Sequence, residues 1–299
     1  MTALRLWSRR AAAEPSADRR HQRTVLITGA SSGIGRATAR EFHARGWTVF
    51  GTSRAPQVIG PSDRIDGVTY LPLDYHDPAT IPAITKTLPR VDVLINNAGI
   101  GQAGAVEDVP VDAARELFEV NVFGPVELTR AYLPAMRADQ GGTIIFIGSL
   151  ITEVRVPFQS SYAASKLALV GYVQSLRHEL RPYGIRTVLV EPGYIRTGIA
   201  QKRPWIAPPE SPYFTRSTAV KRKVDHEHDR AADPTILARH LLRLSEHAGP
   251  LPPHTSIGVQ AAALNLATRF LPASRVERLI ARRFGLPDYY AQQRRPAAG

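Results

Sequence analysis

The chain has 299 residues, 43% of them hydrophobic and 21% charged, which suits one large folded domain or two small ones and argues against disorder. It contains no cysteine, so disulfides, zinc–thiolate sites and thiol nucleophiles are excluded. The formal charge of +12 sits mainly at the two ends, in the Arg-rich residues 1–23 and 269–299, and so points neither to nucleic acid nor to the chemistry of a site in the body of the chain.

Residues 1–23 have no apolar core of signal-peptide length and are read as a mobile basic tail; Glu14 and Asp18 count against a transit peptide. No apolar run approaches the ~20 residues that span a bilayer. From Thr24 onward strand and helix alternate. Strands are predicted at Val25–Ile27, Thr48–Thr52, Val68–Leu73, Val91–Ile95, Thr143–Ile147 and Thr187–Val190, and helices at Ile34–Arg45 and Ala79–Leu88. Val/Ile/Leu runs without alternation imply strands buried on both faces. Strands separated by helices imply parallel pairing through right-handed crossovers. The expected fold is α/β: a single doubly wound, Rossmann-type parallel sheet with helices on both faces, over residues 24–299. After Thr197 the rhythm breaks, and residues 198–232 are expected to form a long irregular lid. Helical patterning returns at Pro234–His247, Thr255–Val259 is an edge-strand candidate, and two helices are expected in a C-terminal extension, at Gln260–Phe270 and Ala273–Phe284.

Three groups of residues carry chemistry. Thr28-Gly29-Ala30-Ser31-Ser32-Gly33-Ile34-Gly35 follows the first strand and opens a helix, where glycines let the backbone approach a pyrophosphate at the helix N-terminus. A tight strand–helix turn uses glycine for its own sake, so the turn alone is weak evidence. Arg54 follows the second strand, at the point where dinucleotide folds meet the adenosine ribose; an arginine there accommodates a 2′-phosphate, which favours NADP(H) over NAD(H), the alternative being an ordinary surface arginine. Tyr162 and Lys166 stand at i and i+4 on one helix face. A lysine beside a tyrosine favours the phenolate and tunes the phenol toward proton transfer, although such a pair by itself is common on surfaces.

These groups recur in order with Asn96-Asn97-Ala98-Gly99, Asn121, Ser149 and Pro192-Gly193, and on these residues the stretch Thr24–Thr197 resembles the short-chain dehydrogenase/reductase family. The resemblance implies a tetrad of Asn121, Ser149, Tyr162 and Lys166. Tyr162 would be the general acid/base, Ser149 would hydrogen-bond the substrate oxygen, Lys166 would lower the phenol's pKa and bind the nicotinamide ribose, and Asn121 would support a proton relay. It further implies cofactor contacts from Gly29, Ser31, Ser32, Gly33, Ile34, Gly35, Arg54, Asp74, Asn97, Ala98, Gly99, Tyr162, Lys166, Pro192, Gly193, Ile195 and Thr197, and substrate contacts from Ser149, Tyr162 and Tyr194, with no metal.

The C-terminal third is loosely similar to the steroid- and retinol-type branch of that family, which implies a bulky apolar ketone or alcohol. Two other readings stand beside it: an acyl-carrier-linked ketoreductase, with Lys202-Arg203 or Lys221-Arg222-Lys223 receiving an acidic carrier, and a catalytically silent NADP-sensing regulator. The resemblance also implies a homodimer or homotetramer built on helices at Asn121–Arg137 and Ser160–Pro182. The helix at Ser274–Phe284 carries Val276, Leu279, Ile280 and Phe284 on one face, suited either to covering the core or to peripheral membrane contact. The expected location is cytoplasmic.

Overall fold

The computed structural model describes residues 22–198, 203–258 and 271–287. Residues 1–21 of the basic tail, the whole helix expected at Gln260–Phe270 and the last twelve residues lie outside these.

Seven strands form one sheet: β1 (Thr24–Ile27), β2 (Thr48–Ser53), β3 (Val68–Pro72), β4 (Val93–Asn96), β6 (Gly142–Ile147), β7 (Ile185–Pro192) and β9 (His254–Ile257), ordered β3-β2-β1-β4-β6-β7-β9. Every pairing in it is parallel. A strand turns successive side chains to opposite faces. Val25 and Ile27 therefore join one core with Val49, Ile95 and Val190, under Phe42 of α1 (Gly33–Ala44) and Leu237 and Leu241 of α7 (Pro234–Glu246). Leu26 joins the other with Leu94, Ile144 and Phe146, under Ile84 of α2 (Thr80–Thr87), Tyr132 of α4 (Gly124–Ala138) and Val173 of α5 (Ser160–Leu180). Both faces are apolar, which is why the strand sequences read as unbroken hydrophobic runs. The doubly wound fold expected from that pattern is the fold observed.

The chain runs outward from β1 to β3 and then returns to place β4 on the other side of β1. The order thus reverses between β1 and β4, and ligands of open α/β sheets bind in the crevice at the carboxyl ends of the strands at such a point. The expected edge strand is β9.

The lid corrects the sequence reading. It was expected to be irregular, yet it contains β8 (Trp205–Ile206), paired with β5 (Ala103–Gly104), and the sixteen-residue helix α6 (Phe214–Asp229). Only Ser217, Val220 and Val224, three and four apart, are buried along α6; this narrow stripe hides among lysines, arginines and histidines. Phe284 of α8 (Ala273–Phe284) is 2% exposed and packs with Ile280 against Val220 and Val224. Lys223 Nζ donates to the Arg283 carbonyl, and Arg283 pairs with Glu227 at 2.6 Å. The apolar face of α8 is thus partly spent on the lid; Leu279, assigned to the same face, stays 52% exposed.

Candidate active site

The glycine turn is shaped by close approach. Gly29 and Gly33 have φ of +65° and +53°, a region that L side chains rarely adopt. A Cβ on Gly35 would stand 2.2 Å from the Gly29 carbonyl oxygen and 2.6 Å from Asn97 Nδ2. Asn97 braces this turn: its Nδ2 donates to the carbonyls of Thr28 and Gly29 at 2.8 and 3.3 Å. Thr28 Oγ1 in turn accepts from the main-chain N–H groups of Asn97 and Ala98 at 2.9 and 2.8 Å. Of the segment assigned to cofactor contact, the Asn97 side chain is therefore committed to the turn, leaving Ala98 and Gly99 along the groove. Thr28 is an organising residue that the sequence reading passed over; its place one residue before Gly29 was the available signal.

Ser32 stands at the N-cap of α1 with no side-chain cap bond, so the first-turn N–H groups and the positive end of the helix are directed to the groove. Ser31 is half-buried in the same turn, and Ile34 packs against the sheet core, contributing only main chain to the groove. Thr197 lies against the turn, 3.1 Å from a Cβ built on Gly33. Arg54 is exposed just beyond β2. Asp74 follows β3, with its Oδ1 accepting from the His76 N–H at 3.0 Å. Pro192 ends β7, and Gly193 N–H donates to the Ile257 carbonyl at 2.8 Å. Ile195 is 4% exposed with its side chain in the core, and its main chain bridges Ala232. The residues present fit a dinucleotide phosphate: a tight turn that only glycines permit, two of them at positive φ, opens onto a helix N-terminus, with a cation beyond β2.

The four residues expected to form the tetrad gather at the carboxyl ends of β4 and β6. Asn121 sits in a π-helical turn (Glu119–Phe123) between α3 (Val111–Phe118) and α4, a distortion frequent at functional sites. Its Oδ1 accepts from Ile100 N–H at 2.9 Å, and its Nδ2 donates to the Ile100 carbonyl at 3.0 Å and to Ser165 Oγ at 3.2 Å. Lys166 is buried, and its Nζ donates to the Ile147 carbonyl at 2.9 Å. A Cβ on Gly99 would lie 3.1 Å from Asn121 Oδ1 and 3.7 Å from Lys166 Nζ, so both converge on one point. Ser149 follows β6, and its Oγ accepts from Ile151 N–H close to the Tyr162 phenol.

Burial raises the pKa of Tyr162; the neighbouring Ser149 hydroxyl and the charge of Arg203 oppose this. Burial also lowers Lys166 to about 8. Lys166 Nζ is held by main chain, 5.9 Å from the Tyr162 ring centre, and the charge of Arg203 also favours the phenolate. Tyr194 stacks edge-on to His228 at 4.9 Å on the lid side of the site. Arg203, at the start of the lid, was not read as a neighbour of Tyr162, because nothing in the linear sequence brings the lid over it.

The basic patches offered for an acidic carrier are not a common surface. Lys221 is paired with Asp225, Lys223 is bonded to α8, Arg203 is turned inward, and Lys202 lies outside the described residues. A cavity of about 590 Å³ lies between the loop at Arg155–Pro157 and α8, lined also by Val276, Ile280 and Leu286 and by none of the tetrad. Among the described residues no cluster suits a metal ion and no helix is long and apolar enough to cross a membrane.

Comparison with known proteins agrees with this geometry. The family model for short chain dehydrogenase matches residues 23–205. Dehydrogenase/reductase SDR family member 7B of Rattus norvegicus is 39% identical over 191 residues, covering 59% of each chain. A 3-ketodihydrosphingosine reductase of Bacteroides thetaiotaomicron is 38% identical over 183 residues, 60% of this chain and 66% of that one. The alignments thus span about three fifths of the length of the first of these relatives. A short-chain dehydrogenase structure from Streptomyces avermitilis superposes with a TM-score of 0.73 at 29% identity, over 89% of this chain and 98% of that one. A serine dehydrogenase complexed with NADP+ gives 0.61 at 25% identity, over 78% and 92%. With the glycine turn, the asparagine of the π turn and the Ser–Tyr–Lys group all at the carboxyl edge of the sheet, the chain belongs to the short-chain dehydrogenase/reductase family of oxidoreductases.

Proposed function

We propose that the protein is an NADP(H)-dependent oxidoreductase that interconverts a ketone and a secondary alcohol, with Tyr162 as general acid/base. The observation that carries this reading is a buried Lys166 whose Nζ converges with Asn121 Oδ1 beside Gly99, one helical turn from Tyr162, with Ser149 close to the Tyr162 phenol. The dinucleotide supplies hydride in the reductive direction. Ser149 and Tyr162 polarise the carbonyl oxygen between their hydroxyls, and Tyr162 gives it a proton as alkoxide charge develops. Lys166 and Asn121, fixed to the main chain at Ile147 and Ile100, lie along the route by which that proton is replaced. Arg54, exposed beyond β2 with no acid at its side in the strand, supports a 2′-phosphate and hence NADP(H). The serine dehydrogenase bound to NADP+ is consistent with that choice.

Val156, Phe158, Tyr194 and Trp205 form an apolar wall with α6 and α8 on the lid side and favour a substrate with apolar bulk. The packing of Phe284 and Ile280 on α6 favours a covering role for α8 over a membrane contact. The exposed Phe123 and Leu167, on the elements expected to associate, favour a homo-oligomer.

The test is the oxidation of NADPH, and separately of NADH, followed at a panel of ketones. Turnover with NADPH is expected. Tyr162→Phe should abolish it while leaving NADPH binding intact; a Tyr162→Phe enzyme reducing ketones at the native rate overturns the reading. Loss of activity with retained binding also discriminates it from a silent NADP sensor, which shows no turnover in either form.

A further inference from the structure

Arg203 is an arginine in an unusual position. It precedes β8, and its stem lies over Gly101, where a Cβ would stand 3.1 Å from Arg203 Cδ. The guanidinium lies 5.6 Å from the Trp205 ring centre, and Nη1 reaches Gln159 Oε1 only at 3.5 Å. It is half-buried, its pKa is lowered by that burial, and its charge acts on Tyr162, Tyr194 and His228. Among the described residues no carboxylate lies within 4 Å of it. Asp225, the acid whose charge it feels, is bonded to Lys221 at 2.5 Å. In the same cluster His228 Nε2 is buried without a hydrogen-bond partner among the described residues.

Desolvating a guanidinium without a counter-ion is costly, and planar paired N–H donors suit a carboxylate or phosphate. Resting on the reductase reading above, we propose that Arg203 binds an anionic group of the substrate, a carboxylate or a phosphate ester, and that the substrate is therefore an acidic ketone with apolar bulk rather than a wholly apolar one.

The test is a binding measurement that needs no turnover. With NADP+ saturating, so that phosphate binding in the dinucleotide groove is excluded, the full chain is titrated calorimetrically with phenylacetate, phenyl phosphate and neutral phenylacetamide. Charge-assisted hydrogen bonds contribute enough to favour an anion by about tenfold or more. The wild-type protein is expected to bind at least one anion tighter than the amide by that factor. Whichever anion gains identifies the acid. Arg203→Met should bring the ratio of anion to amide affinity to about one, and Arg203→Lys should retain part of the preference, which separates loss of charge from loss of fold. Equal affinity for anions and amide in the wild type, or an anion preference that survives Arg203→Met, overturns the proposal. Arg203-dependent anion binding in a protein that reduces no ketone would sink the reductase reading and leave this one standing.

Discussion

The side chain of Asn121 pairs with both polar groups of the Ile100 main chain, accepting from its N–H at 2.9 Å and donating to its carbonyl at 3.0 Å. This pairing joins the π-helical turn to the segment after β4, and Asn121 is 1% exposed where it does so. Asn121→Leu removes both partners of the half-buried Ile100 groups, a loss of up to roughly 1–3 kcal/mol for each. The variant is expected to unfold at lower urea with an unchanged slope, and to lose ketone reduction beyond what its folded fraction explains. Native-like stability would show that the pairing is dispensable.

The pH dependence of reduction follows from Lys166 and Tyr162. Burial keeps Tyr162 protonated through neutrality and lowers Lys166 to about 8. The protonated pair is the form competent to donate a proton, so kcat/KM for reduction should be level below about 8 and fall as the pH rises through it, since this parameter reports the free enzyme. Lys166→Met should lower the plateau and remove that alkaline limb. A limb still centred near 8 in Lys166→Met would assign the titration to another group.

The fold was legible because the sheet is apolar on both faces: Val25, Leu26 and Ile27 serve two different cores, so their strand reads as one hydrophobic run. The tetrad was legible as a spacing of residue types, Ser149, Tyr162 and Lys166, that the fold then gathers. The lid was not. Only Ser217, Val220 and Val224 of α6 are buried, too narrow a stripe to stand out among charges, and the helix is held by Phe284, sixty residues away. Arg203 was invisible for a related reason. In sequence it is one of a basic pair, Lys202-Arg203, and only the pairing of β8 with β5 turns it over Gly101 and toward Tyr162.

Glu191 offers a test of stability against pH. It is 2% exposed in β7, and Thr152 Oγ1 donates to its Oε1 at 2.5 Å. Burial raises its pKa, opposed by the Thr152 bond and the charge of His254. The folded state therefore holds a proton that the unfolded chain releases above about 4.5, and the contribution of Glu191 to stability falls as the pH rises from there through its folded pKa. Glu191→Gln keeps the size and the hydrogen bond without the charge. It should raise Tm at pH 8 by a few degrees, on the order of 1 kcal/mol, with little change at pH 4. An equal change at both pH values would mean that ionisation of Glu191 is not the cause.

Two glycines with opposite surroundings test the close-approach account of the dinucleotide cradle. A Cβ on Gly35 collides with the Gly29 carbonyl and Asn97 Nδ2, both fixed parts of the turn, so Gly35→Ala must shift backbone. The expected result is loss of NADP+ affinity by about tenfold or more together with destabilisation of 1–3 kcal/mol, the range for overpacking. Gly171, exposed within α5, has nothing within 4 Å of its Cβ position. Gly171→Ala should gain about 0.5–1 kcal/mol from helix propensity and lower unfolded-state entropy, with cofactor affinity unchanged. Calorimetric titration of NADP+ and urea unfolding of both variants decide the matter. Equal behaviour of the two alanines would show that Gly35 serves propensity rather than the passage of a phosphate past the turn.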